Sequence, residues 1–170
     1  MPNFKVIDGV VRPVAGPGAA ADAASGCSVA MVAARFNADI VDRMVAGASD
    51  VWERQGGDPG QLLLVRAPGA FELPLLARKL AATGRYDAII ALGCVIRGDT
   101  AHFDFVAGAA ARGIADAARD TGVPVIFGVL TTENLDQALE RADPERLNKG
   151  GEAMDAALEM VRALRQIGST

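Results

Sequence analysis

Among its 170 residues the chain has one histidine, two cysteines, one tryptophan and one tyrosine, and aromatic residues make up only 5% of it. Each scarcity removes a class of function. The cysteines, Cys27 and Cys94, sit in apolar, strand-like contexts without metal-ligand spacing. Buried thiols are therefore expected, rather than a disulfide, a metal site or a nucleophile. A net charge of −4 and a pI near 5.0 leave no basic face for nucleic acid. Apolar runs such as Ala88 to Ile96 fall far short of the ~20 residues that span a bilayer. The start, Met1-Pro2-Asn3-Phe4-Lys5, has no basic segment followed by an apolar one, so the expectation is a cytoplasmic protein without a membrane partner. No glycine fingerprint follows the first apolar segment, against a dinucleotide-binding dehydrogenase. Ala33-Ala34-Arg35-Phe36 brings no acidic cluster to the end of that segment, against a phosphoacceptor signalling domain.

What is abundant is apolar surface: 51% hydrophobic and 22% charged residues suit one domain with a sizeable core. Residues 1–26 stand apart, with a short strand over 4–11 and then an Ala/Gly/Pro/Ser-dominated stretch over 13–26. That composition buries too little side chain to offset ordering entropy, so a mobile linker is expected, followed by a single domain over 27–170. From there, apolar runs alternate with amphipathic segments. Strands are expected over 28–34, 62–65, 88–96 and 123–130, and helices over 39–54, 73–83, 103–120, 135–142 and 152–165. Strands that are apolar throughout, separated by helices, imply a parallel sheet covered on both faces. The fold class is thus α/β, a three-layer sandwich.

Turn chemistry supports those boundaries: Asn37 is placed to cap the first helix, Gly56-Gly57 to end it, Asn134 with Gln137 to open the short helix, and Thr121-Gly122 to close the one before. Open α/β sheets keep their chemistry in the loops at the carboxyl ends of the strands. The loop after the third core strand, Gly98-Asp99-Thr100-Ala101-His102, holds the sole histidine beside a flexible turn, an anion or cap, and a hydroxyl. His102 is either a proton-transfer group or a residue that merely opens the next helix. Phe36 and Phe71 lie in the other two loops, and Phe127 lies in the fourth strand near its end. They suit either stacking on a flat heteroaromatic ligand or ordinary packing. Glu72 either accepts hydrogen bonds from ligand hydroxyls or only complements a helix dipole. Arg141 and Lys149 are candidate anion binders, though Arg141 is equally placed to satisfy the last carbonyls of its own helix.

Taken in order, Arg35-Phe36-Asn37, Pro68-Gly69-Ala70-Phe71-Glu72-Leu73-Pro74, the stretch 93–106, Phe127-Gly128-Val129-Leu130-Thr131-Thr132-Glu133-Asn134, Arg141-Ala142 and Asn148-Lys149-Gly150 resemble the lumazine synthase family. The likeness runs from about residue 27 to residue 167. It implies a flavodoxin-like sandwich with a four-stranded parallel sheet and an added amino-terminal strand. It also implies the penultimate step of riboflavin biosynthesis, in which 5-amino-6-(D-ribitylamino)uracil condenses with 3,4-dihydroxy-2-butanone 4-phosphate to 6,7-dimethyl-8-ribityllumazine. The attacking group is the substrate's own amine, so no activated Ser or Cys is needed, and no metal or organic cofactor is implied. By this resemblance His102 shuttles protons. Phe36 stacks on the pyrimidine with Asn37 beside it, and Ala70, Phe71 and Glu72 hold the ring and ribityl chain. Cys94 joins Val95 and Ile96, whose backbone groups face the substrate, and Phe127 and Lys149 complete the pocket. Asp99, Thr100 and Arg141 hold the phosphate.

The resemblance further implies a homopentamer with sites at subunit interfaces, Phe127, Arg141 and Lys149 arriving from the neighbour. It places the amino-terminal strand on the adjacent subunit's sheet, although the segment 11–26 is longer and simpler than the family's usual connection. The compact loop 143–149 permits a sixty-subunit shell. A non-catalytic flavin-binding or shell-forming paralogue is the alternative, against which the joint presence of His102 and Arg141 speaks.

Overall fold

The computed structural model describes residues 23–168 and the strands at residues 4–7 and 10–13. Its sheet has six strands: β1 (Phe4–Ile7), β2 (Val10–Pro13), β3 (Val29–Ala34), β4 (Leu62–Ala67), β5 (Ala88–Ile96) and β6 (Val125–Thr132). They lie in the order β1-β2-β4-β3-β5-β6. The last four in chain order are mutually parallel, and β1 and β2 add an antiparallel edge. Helices α1 (Ala38–Arg54), α2 (Leu73–Ala81), α3 (His102–Thr121), α4 (Leu135–Ala142) and α5 (Lys149–Gly168) cover the sheet.

Because successive strand residues point to opposite faces, each core strand feeds two cores. Val29, Met31 and Ala33 pack with Ile90, Leu92, Met44, Trp52, Met154 and Leu158 under α1, α4 and α5. Ala30, Val32 and Ala34 pack with Ile89, Ala91, Leu73, Ala77 and Ile114 under α2 and α3. All six residues of β3 are buried, as a central parallel strand requires. This is the expected three-layer sandwich.

Three local readings change. Residues 4–11 are not one strand but part of a hairpin, β1 against β2, with β2 docked on β4 of the same chain. The intervening dipeptide is Asp8-Gly9, a signature of two-residue hairpin connections that a single-strand reading passes over. Docked there, β2 shields the otherwise open edge of Leu62–Ala67. The expected linker falls mostly on residues outside the described ones, but its last part is packed: Ala24 is fully buried and donates its N–H to the Gln55 carbonyl at 3.0 Å. Helix α5 starts at Lys149 rather than at 152, since the Asn148 side chain caps it by accepting from the Gly151 N–H at 3.0 Å. Gly150 does not break this helix. It presses on the Met44 carbonyl of α1, where a Cβ would collide with backbone.

Candidate active site

Three strand ends are tied together at the carboxyl edge of the sheet. Beyond β3, the Arg35 N–H reaches the Ala67 carbonyl at 2.8 Å and the Phe36 N–H reaches that of Pro68 at 3.1 Å. The loops after β3 and β4 therefore stay zipped past the last paired residues. Asn37 then turns into the left-handed region, φ 57° and ψ 44°, and its Nδ2 donates to the Cys94 carbonyl on β5 at 3.0 Å. This corrects its expected role: the side chain caps nothing, and it is the Asn37 carbonyl that accepts the first helical N–H groups, from Ile40 and Val41.

Below these ties opens a pocket of about 650 Å³, lined by Phe36, Ala70, Phe71, Glu72, Cys94, Val95, Ile96, Thr100 and His102, together with Phe103, Phe105 and Val106 of α3. Its walls are aromatic and unusually bare: Phe36, Phe71 and Phe105 are 70%, 61% and 73% exposed. Rings left this open in one chain call for a flat ligand, a second surface, or both. The floor supplies polarity. Pairing of β5 with β3 stops at Leu92, so the edge of residues 93–96 has no strand beside it on that side. By the alternation of a strand, the backbone groups of Ile96 face the same side as the Cys94 carbonyl that Asn37 engages. Glu72 sits in the 3₁₀ turn Ala70–Glu72, directly before α2, and is exposed at the rim. Burial pushes the Cys94 thiol up to about 11, so it stays protonated and unreactive at neutral pH.

His102 is the first residue of α3, and its N–H lies 3.4 Å from Thr100 Oγ1. Thr100 and His102 line the pocket, whereas Asp99, on the same exposed loop, does not. Phe105 and Val106 were not foreseen as lining residues. Their spacing of three and four from His102 puts them on its face of the helix, which is the signal that finds them.

The remaining three candidates lie elsewhere. Phe127 is the third residue of β6 and is paired with Ala91, so it sits toward the strand's start rather than near its end. With Lys149 it borders a separate hollow of about 270 Å³. Lys149 Nζ is 2.7 Å from Glu152 Oε2, and Arg141 Nη1 donates to the Gln137 carbonyl at 3.2 Å, the helix-end contact that its position allowed. The His102 pocket therefore contains no Arg or Lys among its lining residues. Among the described residues no cluster of His, Cys, Asp or Glu is placed to hold a metal ion, and no helix is long and apolar enough to cross a membrane.

The parallel strands run β4-β3-β5-β6, and the pocket lies outside their carboxyl ends where the order reverses, between β3 and β5. That is the ligand position of the flavodoxin-like doubly wound proteins. Within that class, the 6,7-dimethyl-8-ribityllumazine synthase model matches residues 26–165. The chain is 55% identical to the 6,7-dimethyl-8-ribityllumazine synthase of Nitratidesulfovibrio vulgaris over 144 residues, 85% of this chain and 92% of that one. It is 54% identical to the enzyme of that name from Desulfovibrio desulfuricans over the same shares, and 51% to that from Chlorobium chlorochromatii over 85% of this chain and 93% of its own. The chain belongs to the 6,7-dimethyl-8-ribityllumazine synthase family.

Proposed function

We propose that the chain is a transferase that condenses 5-amino-6-(D-ribitylamino)uracil with 3,4-dihydroxy-2-butanone 4-phosphate to 6,7-dimethyl-8-ribityllumazine, at a pocket completed by a second copy of itself. Family membership carries the activity. The composite site rests on one observation: a pocket of aromatic rings, one carboxylate and one imidazole holds no fixed cation for a phosphate dianion. Arg141 and Lys149 do not line that pocket, and Lys149 borders the separate hollow with Phe127.

In this reading Phe36 stacks on the pyrimidine, Asn37 sits beside it, and the backbone edge at Cys94, Val95 and Ile96 reads its ring amides. Ala70, Phe71 and Glu72 hold the ribityl chain, Glu72 accepting from its hydroxyls. The Thr100 hydroxyl and the α3 amino terminus face the phosphate, Asp99 lies on the same loop, and Arg141 of the neighbour grips the dianion with its planar fork. The neighbour's Phe127 and Lys149 close the pyrimidine end. His102 delivers a proton to the carbinolamine hydroxyl as water leaves and accepts one as phosphate is eliminated. The ring then closes by attack of the ribitylamino nitrogen on the remaining carbonyl, whose oxygen leaves as a second water. The amine is the substrate's own, so the steps need neither metal nor organic cofactor. A pentameric ring places each pocket against the next subunit's Arg141, a sixty-subunit shell is compatible with the compact 143–149 loop, residues 27–170 act as one catalytic domain, and the protein works in the cytoplasm. The test is direct: purified protein is mixed with both substrates while lumazine fluorescence and released phosphate are followed together. Equal formation of both, well above the uncatalysed rate, is expected, and a rate no faster than the uncatalysed one refutes the reading.

A further inference from the structure

Arg97, at the end of β5, is the cation closest in sequence to the Gly98–Thr100 turn, which makes it a natural choice for a phosphate ligand. Its guanidinium is engaged otherwise. Nε lies 2.9 Å from Glu133 Oε2 and 3.1 Å from Oε1, and Nη1 lies 3.4 Å from Asp104 Oδ1. Its Cζ stands 4.1 Å over the centre of the Phe103 ring, well inside the ~6 Å reach of a cation–π contact. Its backbone N–H donates to the Thr132 carbonyl at 2.8 Å. One side chain thus joins the β5 end, the first turn of α3 and the residue that follows β6. The far anchor is itself held, since the Glu133 N–H donates to Gln137 Oε1 of α4 at 3.0 Å.

His102, by contrast, has no side-chain hydrogen-bond partner among the described residues. Its position is inherited from the helical turn that carries it. The two residues next along that turn, Phe103 and Asp104, are the ones Arg97 grips. We infer that Arg97 is a positioning residue, which clamps the first turn of α3 to the residue after β6 and so fixes His102 over the pocket without touching substrate. This rests on the lumazine-forming reading of the site. A lysine cannot substitute, because a point charge has neither the fork that meets Glu133 and Asp104 together nor the plane that stacks on Phe103.

The experiment compares wild type with Arg97→Ala, Arg97→Lys and Glu133→Gln in steady-state kinetics for each substrate, with inorganic phosphate as a competitive probe, after confirming equal folding and assembly. Misplacement of a catalytic group by about 1 Å costs up to ~100-fold, so Arg97→Ala is expected to lose roughly 10- to 100-fold in kcat. KM for the pyrimidine and the inhibition constant of phosphate stay within about 2-fold, because uniform binding is untouched. Arg97→Lys falls within about 3-fold of Arg97→Ala, and Glu133→Gln, which keeps one neutral acceptor, loses less than either. If Arg97→Ala does not fold, the other two variants carry the test. A selective weakening of phosphate would make Arg97 a phosphate ligand and overturn the inference, as would unchanged kcat in a folded variant or full rescue by lysine. Absence of lumazine formation by wild type would instead strike at the reaction itself, which separates the two failures.

Discussion

Asn37 occupies a left-handed backbone position and spends its amide on the Cys94 carbonyl, so its substitutions separate two energies that usually travel together. Asn37→Ala removes both. Losing a half-buried hydrogen bond costs about 0.5–1.5 kcal/mol, and the Cβ of an alanine held in the left-handed region costs roughly 1–2 kcal/mol more. The sum, about 1.5–3.5 kcal/mol, corresponds to a fall in Tm of roughly 3–14 °C for a chain of this size. Asn37→Gly loses the bond but accepts the positive φ, so it is expected to cost about half as much, part of that from added freedom in the unfolded chain. Asn37→Asp tolerates the backbone but sets a carboxylate against the Cys94 carbonyl, two acceptors with no proton between them, and is expected to rank with alanine or below.

Urea unfolding at fixed protein concentration reads this order, and the probe is built in: Trp52, the only tryptophan, lies on α1 and is 1% exposed. Kinetics add a second axis. Phe36 precedes Asn37, so KM for the pyrimidine rises in all three variants while KM for the phosphate-bearing substrate changes less. Equal destabilisation by glycine and alanine would remove the backbone component from this account. A wild-type-like aspartate variant would remove the amide bond.

Three further outcomes are expected. Co-expressed His102→Ala and Arg141→Ala chains, each inactive, regain roughly one quarter of wild-type sites in mixed rings, by two even chances under cyclic symmetry, and mixed rings no more active than their parents would sink the shared site. Burial raises the Cys94 pKa from 9.0 to about 11. The folded state therefore favours the neutral thiol, and a contribution of ~2–3 kcal/mol is intact below pH 9 and lost as pH rises toward 11. Cys94→Ala should show a correspondingly shallower alkaline loss in urea titrations at pH 8 and 10.5, and parallel losses would contradict this. Finally, Gly150→Ala drives a Cβ into the Met44 carbonyl. It should destabilise the chain by about 1–3 kcal/mol and disturb the nearby Lys149, and an unchanged Tm would mean that α1 and α5 separate freely.

Much of the fold was legible because each core strand had to be apolar on both faces, a pattern that loops and surface helices do not imitate. Boundaries read from turn chemistry held where the chemistry is local: Gly122 takes φ 70° after α3, and Asn134 Oδ1 accepts from the Gln137 N–H at 2.9 Å. They slipped where a tertiary contact decides. The last helix reads as starting at 152 until Asn148 is seen capping it from 149, and Asn37 reads as a cap until β5 offers a carbonyl. Residues 4–11 read as one strand only while the edge of β4 that accepts β2 is out of view.

The candidate site divides the same way. Its loops follow from the rule that chemistry gathers at the carboxyl ends of parallel strands, and Phe36, Phe71, Thr100 and His102 do line one pocket. Which cation serves that pocket does not follow from spacing. Arg97 adjoins the phosphate-side turn in sequence and Arg141 lies far from it, so proximity along the chain favours Arg97. Contact geometry weighs against Arg97, which is held by two carboxylates and an aromatic face, whereas the guanidinium of Arg141 meets one neutral carbonyl. A guanidinium already paired with Glu133 and Asp104 has little to offer a dianion, and the pocket has no Arg or Lys among its lining residues.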